Sequence, residues 1–276
     1  MNLLILITGL LYALSFITAI LGGITKRGGQ EQLSRAAIIC GLLLHTIALA
    51  IRSYEAGHAP MFSMYETLLF YSWCTVLVSA IVIFRYREHL TRLITTPLAL
   101  TALFFAQWNA APPRTLPLIL KTRWFEIHVI ASFAAYALFT LSFAAAVLYL
   151  WFIRTETDEE APQGAPIPRR DGTQVYHLKD LHDIANRGIM WGFFLFSASM
   201  FAGAVWAYLA WGTYWLWEPK VLWSFIVWFY YAGAMHAYYI KAWRGRGLAV
   251  ATVIGYFVVL FTYLGVGLLM KSSHSF

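Results

Sequence analysis

The sequence has little charge and almost no cysteine. Asp, Glu, Lys and Arg make up 12% of its 276 residues, whereas hydrophobic residues make up 60%, and soluble domains usually carry about twice that share of charge. An ordinary water-soluble domain is therefore excluded. The two cysteines, Cys40 and Cys74, lie in separate apolar runs. This placement excludes a disulfide framework and a paired-thiol redox motif.

Long apolar runs dominate the sequence. Eight segments approach the roughly 20 residues that a helix needs to cross a bilayer, and the alternating pattern of a membrane β-barrel is missing. We therefore predict an all-α polytopic transmembrane bundle, forming one integral membrane domain over residues 1–276. The N-terminal run is expected to remain as the first span, because it has neither the basic start nor the cleavage site of a signal peptide. The predicted spans are 2–22, 35–52, 66–84, 92–109, 125–153, 188–210, 219–240 and 248–270.

The basic residues indicate how the chain is oriented. The net charge of +7 does not indicate nucleic acid as a partner, because no soluble segment combines cations with base-stacking aromatics. Fourteen of the 20 Lys and Arg residues lie in the odd-numbered connections, so the positive-inside rule places both termini outside. The hydrophilic stretch at about 154–187 is then a cytoplasmic, partly disordered linker.

One outer connection departs from this charge pattern. The connection between the fourth and fifth spans carries Arg114, Lys121 and Arg123, with no acidic residue before Glu126. These cations are either an anion-binding surface or side chains that lie beside lipid headgroups.

Aromatic residues are concentrated at the outer end of the sixth span. Five Trp and two Tyr occur between Trp206 and Trp223, more than the interfacial aromatic belt of a membrane protein explains. A helix over 211–218 would place Trp211, Tyr214, Trp215 and Glu218 on one face, with Pro219 in the first turn of the next helix. We expect a surface aromatic shelf that suits a large, flat, apolar ligand.

Three histidines are candidate ligands of a heme iron. His128 begins the fifth span and His274 follows the eighth, so the predicted topology brings both to the side of the shelf. Two neutral imidazoles supply the axial ligands of a six-coordinate heme iron, and Arg123 or its neighbours would neutralise propionates. His236 lies near the inner end of the seventh span, beside Gly233. It indicates either a second, deeper heme site or a histidine that a neighbouring helix satisfies.

These residues resemble heme-handling proteins with a tryptophan-rich WWD motif, and within them the CcsA (ResC) cytochrome c biogenesis family. Residues 211–220, WGTYWLWEPK, are similar to the motif W-G-x-x-W-x-W-D-P-K, with Glu218 in place of Asp. Residues 124–128 and 265–275 resemble the segments of the family's two outer histidines, and residues 57–68 resemble its second outer loop. His236 matches the histidine in the span after the motif.

The resemblance implies delivery of heme b across the membrane and its covalent attachment to an apocytochrome c carrying C-x-x-C-H. It also implies a CcsB (ResB)-like membrane partner, thiol-reducing proteins on the outer side, and a bacterial inner membrane or thylakoid membrane as location. It identifies no catalytic residue. The iron ligands would be His128, His274 and His236, and the other heme contacts Trp206, Trp211, Tyr214, Trp215, Trp217, Glu218, Trp223 and Arg123.

Other functions are compatible with the residues. A CcmC-like heme transporter or chaperone would lack lyase activity. The eight predicted spans argue against it, because CcmC-like chains resemble proteins with six. A HemX-like regulatory protein and a lipid-binding or quinone-binding structural subunit are further alternatives. His45, in the second span, is expected to be structural, whereas the role of His58 in an outer loop stays open.

Overall fold

The computed structural model describes residues 2–25, 28–86, 90–155, 166–168, 175–240 and 243–270. Within these ranges the chain is helical apart from its connections and one short antiparallel strand pair, which confirms the predicted all-α class. The strands are β1 (Pro166–Pro168) and β2 (Val175–His177). The helices are α1 (Asn2–Thr25), α2 (Gly28–Ala56), α3 (Met64–Tyr86), α4 (Arg92–Trp108), a 3₁₀ turn (Leu118–Leu120), α5 (Arg123–Thr155), α6 (Leu178–Trp211), α7 (Pro219–Ala237), α8 (Arg246–Leu260), a π-turn (Phe261–Gly265) and α9 (Val266–Leu269).

Each predicted span coincides with helical structure, and by length and composition six helices in the described ranges qualify to cross a membrane. These six are α1, α2, α5, α6, the greater part of α3, and the continuous stretch Arg246–Leu269. α4 has only 17 residues, and α7 contains Lys220, His236 and several Trp and Tyr that lower its mean hydropathy. The chain is therefore an integral membrane protein, while the count of eight spans and the outer position of the termini stay predictions.

The linker predicted at about 154–187 is shorter than expected at its C-terminal end. Helix α6 begins at Leu178, well before the predicted start at residue 188. Leu178, Leu181, Ile184 and Ala185 are buried, which is the spacing of a helix with one apolar face. Much of the remaining linker, residues 156–165 and 169–174, lies outside the described residues.

The chain forms two compact units that divide within α5, Met1–Ala137 and Leu138–Ser275. In the second unit, Gly188 and Gly192 lie one turn apart on α6 and face Ser142 and Phe139 of α5. A Cβ atom at either glycine would overlap these side chains. This is the small-residue contact that lets membrane helices approach closely, and it fixes α6 against the second half of α5.

Replacing Gly192 by Leu should destabilise the second unit. The added side chain collides with the Phe139 ring, and overpacking of this kind costs about 1–3 kcal/mol. Thermal unfolding in detergent should show a lower midpoint for this variant. Gly23→Leu is the matched control, because a Cβ at Gly23 meets no atom within 4 Å. Equal midpoints for the two variants would contradict the close α5–α6 contact.

The first unit contains a polar contact between two long helices. His45 on α2 is buried, and its Nδ1 lies 3.2 Å from the hydroxyl oxygen of Tyr12 on α1. Close by, Gly41 has no side chain to collide with the Tyr12 ring. The contact supports a structural role for His45.

Candidate heme sites

The tryptophan-rich segment is a loop, which we call the tryptophan loop (residues 212–218). Gly212 ends α6 with a φ of +74°, and its N–H donates to the Tyr208 carbonyl oxygen at 2.8 Å. This left-handed conformation is the common glycine-based end of a helix. Pro219 occupies the first turn of α7, and Glu218 before it is extended, as expected for a residue that precedes proline.

The predicted helix over 211–218 is therefore wrong. The left-handed Gly212 and the extended Glu218 bracket a segment without helical structure, so Trp211, Tyr214, Trp215 and Glu218 do not share a helix face. The aromatic surface arises instead from rings of the loop that pack against α6 and α7.

Two aromatic pairs form the α6 side of the surface, the first within the end of α6 itself and the second between α6 and the loop. Trp206 is buried and meets Trp211 edge to face, with ring centroids 4.8 Å apart. Tyr208 and Tyr214 are stacked at 4.6 Å with an angle of 12° between their planes. Tyr208 and Tyr214 are each about half exposed. Trp206 thus supports the surface from beneath, while the two tyrosines form part of it.

On the α7 side, Phe225 connects two tryptophans of the loop. Its ring centroid lies 4.9 Å from Trp215 and 6.0 Å from Trp217. Trp217 remains 71% exposed. Trp223 contacts Phe261 of the π-turn at 4.4 Å. Tyr208, Phe225 and Phe261 are site neighbours that the motif alone does not identify.

The contact between Trp223 and Phe261 brings the π-turn beside the start of α7. Phe261 begins the π-turn, and the short helix α9 follows it. Within the second unit, residue 270 therefore lies on the same side as the start of α7 and the tryptophan loop. π-turns are rare and frequently found at functional sites. His274 lies outside the described residues, and its role as an iron ligand stays a prediction.

His236 lies at the other end of α7. Residues 219 and 236 are separated by 17 helical steps of about 1.5 Å, or roughly 25 Å, close to the thickness of a bilayer's hydrocarbon core. The His236 side chain is exposed, and its Nδ1 lies 2.7 Å from the Ala232 carbonyl oxygen. Because a carbonyl oxygen only accepts, this contact assigns a proton to Nδ1, which leaves Nε2 as the ring nitrogen that can bind a metal. Metal-ligating histidines are commonly held in this way.

A large apolar cavity adjoins His236, and we call it the inner cavity. It has a volume of about 1000 Å³ and lies between the C-terminal part of α7 and the start of α8. Its walls are almost entirely apolar, with Gly233 leaving open space where a side chain would stand. His236 supplies an imidazole, which can ligate iron, and Arg246 supplies a cation. Arg246 and Trp243, also in the wall, were not predicted as site residues.

Within the described part of the chain, no three His, Cys, Asp or Glu side chains gather as they would around a metal ion. Among its described lining residues, the inner cavity offers a bound ligand one imidazole, that of His236, and largely apolar walls. This combination suits a metal that a macrocycle already holds, because the porphyrin supplies the other ligands.

In the first unit, His128 lies in the second turn of α5 and is partly buried. Arg114, Lys121 and Arg123 are all exposed in and after the connection that precedes α5. Their exposure suits both an anion-binding surface and contact with headgroups. His128 belongs to the first unit and the tryptophan loop to the second, so their pairing around one heme stays a prediction.

Two contacts hold that connection in the first unit. The His58 ring has Nδ1 2.7 Å from the Ala59 carbonyl oxygen and Nε2 2.8 Å from that of Arg114. Arg52 donates through Nη1 to the Ala111 carbonyl oxygen at 3.0 Å and through Nε to Glu66 at 2.8 Å. His58, whose role the sequence left open, thus joins the α2–α3 and α4–α5 connections.

Comparisons with known proteins identify the family. The family model described as cytochrome C assembly protein matches residues 61–274. The CcsA cytochrome c biogenesis protein of Guillardia theta is 30% identical, over 98% of this chain and 94% of its own length. The CcsA protein of Prochlorococcus marinus strain MIT 9303 is also 30% identical, over 90% of this chain and 85% of its own.

A solved structure has a similar fold. The cytochrome c heme lyase CcmF superposes with a TM-score of 0.65 at 17% identity, over 96% of this chain and 48% of CcmF. At this identity the likeness concerns the fold alone. Together with the family match and the CcsA relatives, these findings confirm the resemblance predicted from the tryptophan-rich motif. The chain therefore belongs to the cytochrome c assembly protein family, as a CcsA-type membrane protein of cytochrome c biogenesis.

Proposed function

We propose that this chain carries heme b from the inner to the outer side of its membrane and takes part in attaching it to apocytochrome c. The observation that carries the proposal is His236, whose Nδ1 is hydrogen-bonded to a backbone carbonyl and whose ring lines a cavity of about 1000 Å³. Apolar walls suit a porphyrin face, and Arg246 suits a propionate.

The tryptophan loop would receive heme at the outer side. Tyr214 and Trp217 offer exposed ring faces, and aromatic surfaces bind flat apolar ligands at little entropic cost. His128 and His274 would ligate the iron there. Two cysteine thiols of a C-x-x-C-H segment then add to the heme vinyl groups, each sulfur bonding to one vinyl carbon while a proton ends on the other. The protein's part in this step is to hold the macrocycle in position.

The proposed partners follow from this chemistry and from the relatives. The cargo is transferred to an apocytochrome c, whose thiols must be reduced before they can add, so thiol-reducing proteins on the outer side are required. A CcsB-like membrane protein would supply the second axial ligand at His236. The location would be a bacterial inner membrane or a thylakoid membrane, in line with relatives such as that of Prochlorococcus marinus.

Replacing His128 and His274 singly by Gly should reduce heme retained at the outer site at least about tenfold, because loss of a ligand costs more than loss of the groups that orient it. Added imidazole should restore retention by filling the vacated ligand position. Heme-stained cytochrome c and the absorption spectrum of the purified complex measure the two effects.

His89→Gly is the control for the outer pair, because the sequence places His89 in an inner connection. Unchanged retention in both outer variants without imidazole would show that the pair is wrongly assigned. Bound heme with no thioether product, in the presence of reduced apocytochrome c and the partner, would favour a transporter that lacks lyase activity.

A further inference from the structure

A second cavity lies beside the inner cavity in the second unit, and we call it the polar pocket. It has a volume of about 340 Å³, too small for a porphyrin ring but ample for a side group. Three segments form it: the C-terminal part of α5, the first turns of α6, and the connection from α7 to α8. The side chains that matter are Tyr149, Lys179, His182, Asp183, Tyr238 and Arg244.

The charge of the polar pocket favours an anion. Among the described residues of its lining, Lys179 and Arg244 contribute two positive charges and Asp183 contributes one negative charge. His182 stacks on Tyr238, with ring centroids 5.6 Å apart, and lies 5.8 Å from Tyr149. The imidazole is thereby fixed at the pocket wall as a further hydrogen-bonding group.

Arg244 is held in a defined position. Its Nε donates to the Tyr238 carbonyl oxygen at 2.8 Å, and its guanidinium carbon lies 5.5 Å from the centre of the Tyr238 ring. A hydrogen bond through Nε leaves Nη1 and Nη2 as donors. A guanidinium fixed in this way suits the planar, two-oxygen geometry of a carboxylate.

Gly245 keeps this part of the polar pocket open. Its φ is +79°, and a Cβ atom there would lie 2.8 Å from the Tyr149 hydroxyl oxygen. The turn therefore passes directly over that hydroxyl, and any side chain at this position would compete with it for space. The Tyr149 hydroxyl is thus a further hydrogen-bond donor at the edge of the polar pocket.

The two cavities share one wall. The connection from α7 to α8 contributes Ile240 and Trp243 to the inner cavity, next to Arg246 at the start of α8, and it contributes Tyr238, Arg244 and Gly245 to the polar pocket. A macrocycle held at His236 therefore lies next to the polar pocket. Heme carries two propionates, and each needs a polar surrounding. Arg246 is a cation of the inner cavity that can serve one of them, and the polar pocket offers a surrounding for the other.

We propose that the polar pocket binds a propionate carboxylate of the heme that occupies the inner cavity, with Arg244 as its principal partner. The proposal rests on the proposed function, since it requires heme at His236. It assigns the pocket the task of orienting the macrocycle, because a carboxylate fixed at one edge sets the direction in which the iron faces His236.

The test compares heme with its dimethyl ester, in which both carboxylates are masked. Purified wild-type protein and Arg244→Gln, in nanodiscs of neutral phosphatidylcholine, are titrated with each compound. Wild type should bind heme more tightly than the ester. Arg244→Gln should bind heme about tenfold more weakly and the ester as tightly as wild type does. Arg187→Gln is the charge-matched control, because Arg187 lines neither cavity.

The outcomes separate this proposal from the proposed function. Binding of neither compound by wild type, or binding unaffected by His236→Gly, overturns heme at the inner cavity. If His236→Gly loses heme while Arg244→Gln binds both compounds as wild type does, only the role of the polar pocket is wrong. Equal loss of both compounds in Arg244→Gln would mean that Arg244 is merely structural. A loss that appears only in nanodiscs with anionic lipid would identify a lipid headgroup as the occupant and overturn the proposal.

Discussion

Replacing His236 by Gly should remove heme from the inner cavity and lower the amount that copurifies there at least about tenfold, because His236 is the only iron ligand among the described residues that line the cavity. The variant leaves a space the size of an imidazole. Imidazole in the buffer should fill it and restore the absorption spectrum of the wild-type complex. Cytochrome c assembly should fall in parallel, since heme passes this site on the proposed route.

A second variant separates loss of the ligand from loss of structure. Gly233 lines the inner cavity, and a Cβ there meets no atom within 4 Å, so Gly233→Leu places a side chain in the open space of the cavity. Leu is also a better helix former than Gly. This variant should unfold at or above the wild-type temperature yet retain less heme, and imidazole should not rescue it. Full heme retention would contradict occupation of the cavity.

Replacing Glu66 by Gln should lower the free energy of unfolding of the first unit by about 3–5 kcal/mol. Glu66 and Arg52 are both buried, and the substitution leaves the guanidinium without its counter-charge. Glu66 also accepts from the Phe62 N–H at 3.0 Å, and Arg52 lies over the Tyr65 ring at 5.0 Å. The pair therefore joins α2 to the start of α3, and its loss affects both helices.

Unfolding in mixed detergent micelles measures this effect, and trypsin reports its consequence for the outer connection. Arg52 holds the Ala111 carbonyl oxygen, so Glu66→Gln should speed cleavage after Arg114 and Lys121. Arg35→Gln is the control, because its pair with Glu31 is partly exposed and spans one helical turn, where such pairs contribute about 0.3–0.5 kcal/mol. Equal effects of the two substitutions would refute a special role for the buried pair.

The helices were largely predictable because continuous apolar runs mark them directly. The start of α6 was not, since residues 178–187 include Lys179, Asp180 and Arg187. The signal there is periodic: buried Leu178, Leu181 and Ile184 recur at helical spacing. A search for uninterrupted hydrophobicity overlooks a helix that begins with only one apolar face.

The tryptophan loop shows the limit of spacing arguments. The spacing of Trp211, Tyr214 and Trp215 fits a helix, but Gly212 breaks it because a glycine adopts the left-handed conformation without strain. The position of Pro219 in the first turn of α7 was predicted correctly, because it depends only on the proline itself. The glycine-to-proline interval was the available signal for a loop.

The cavities could not be predicted because they depend on residues brought together by one connection. His236 stood out in the sequence as an ionisable residue in an apolar segment. Arg246 and Arg244 were counted only as charges that set the topology, although they line different cavities. Gly245, with its left-handed φ, lies between the two arginines, and no spacing rule supplies the geometry of such a turn.

The most direct test of the account is the heme-to-chain ratio of the purified complex, determined as the pyridine hemochrome after loading with excess heme. The two proposed sites use different histidines, with the tryptophan loop before α7 and His236 near its C-terminal end. Wild type should reach two hemes per chain, whereas His236→Gly and the double variant His128→Gly with His274→Gly should each retain one. The triple variant should retain none. A triple variant that keeps the wild-type ratio would contradict histidine ligation at both depths.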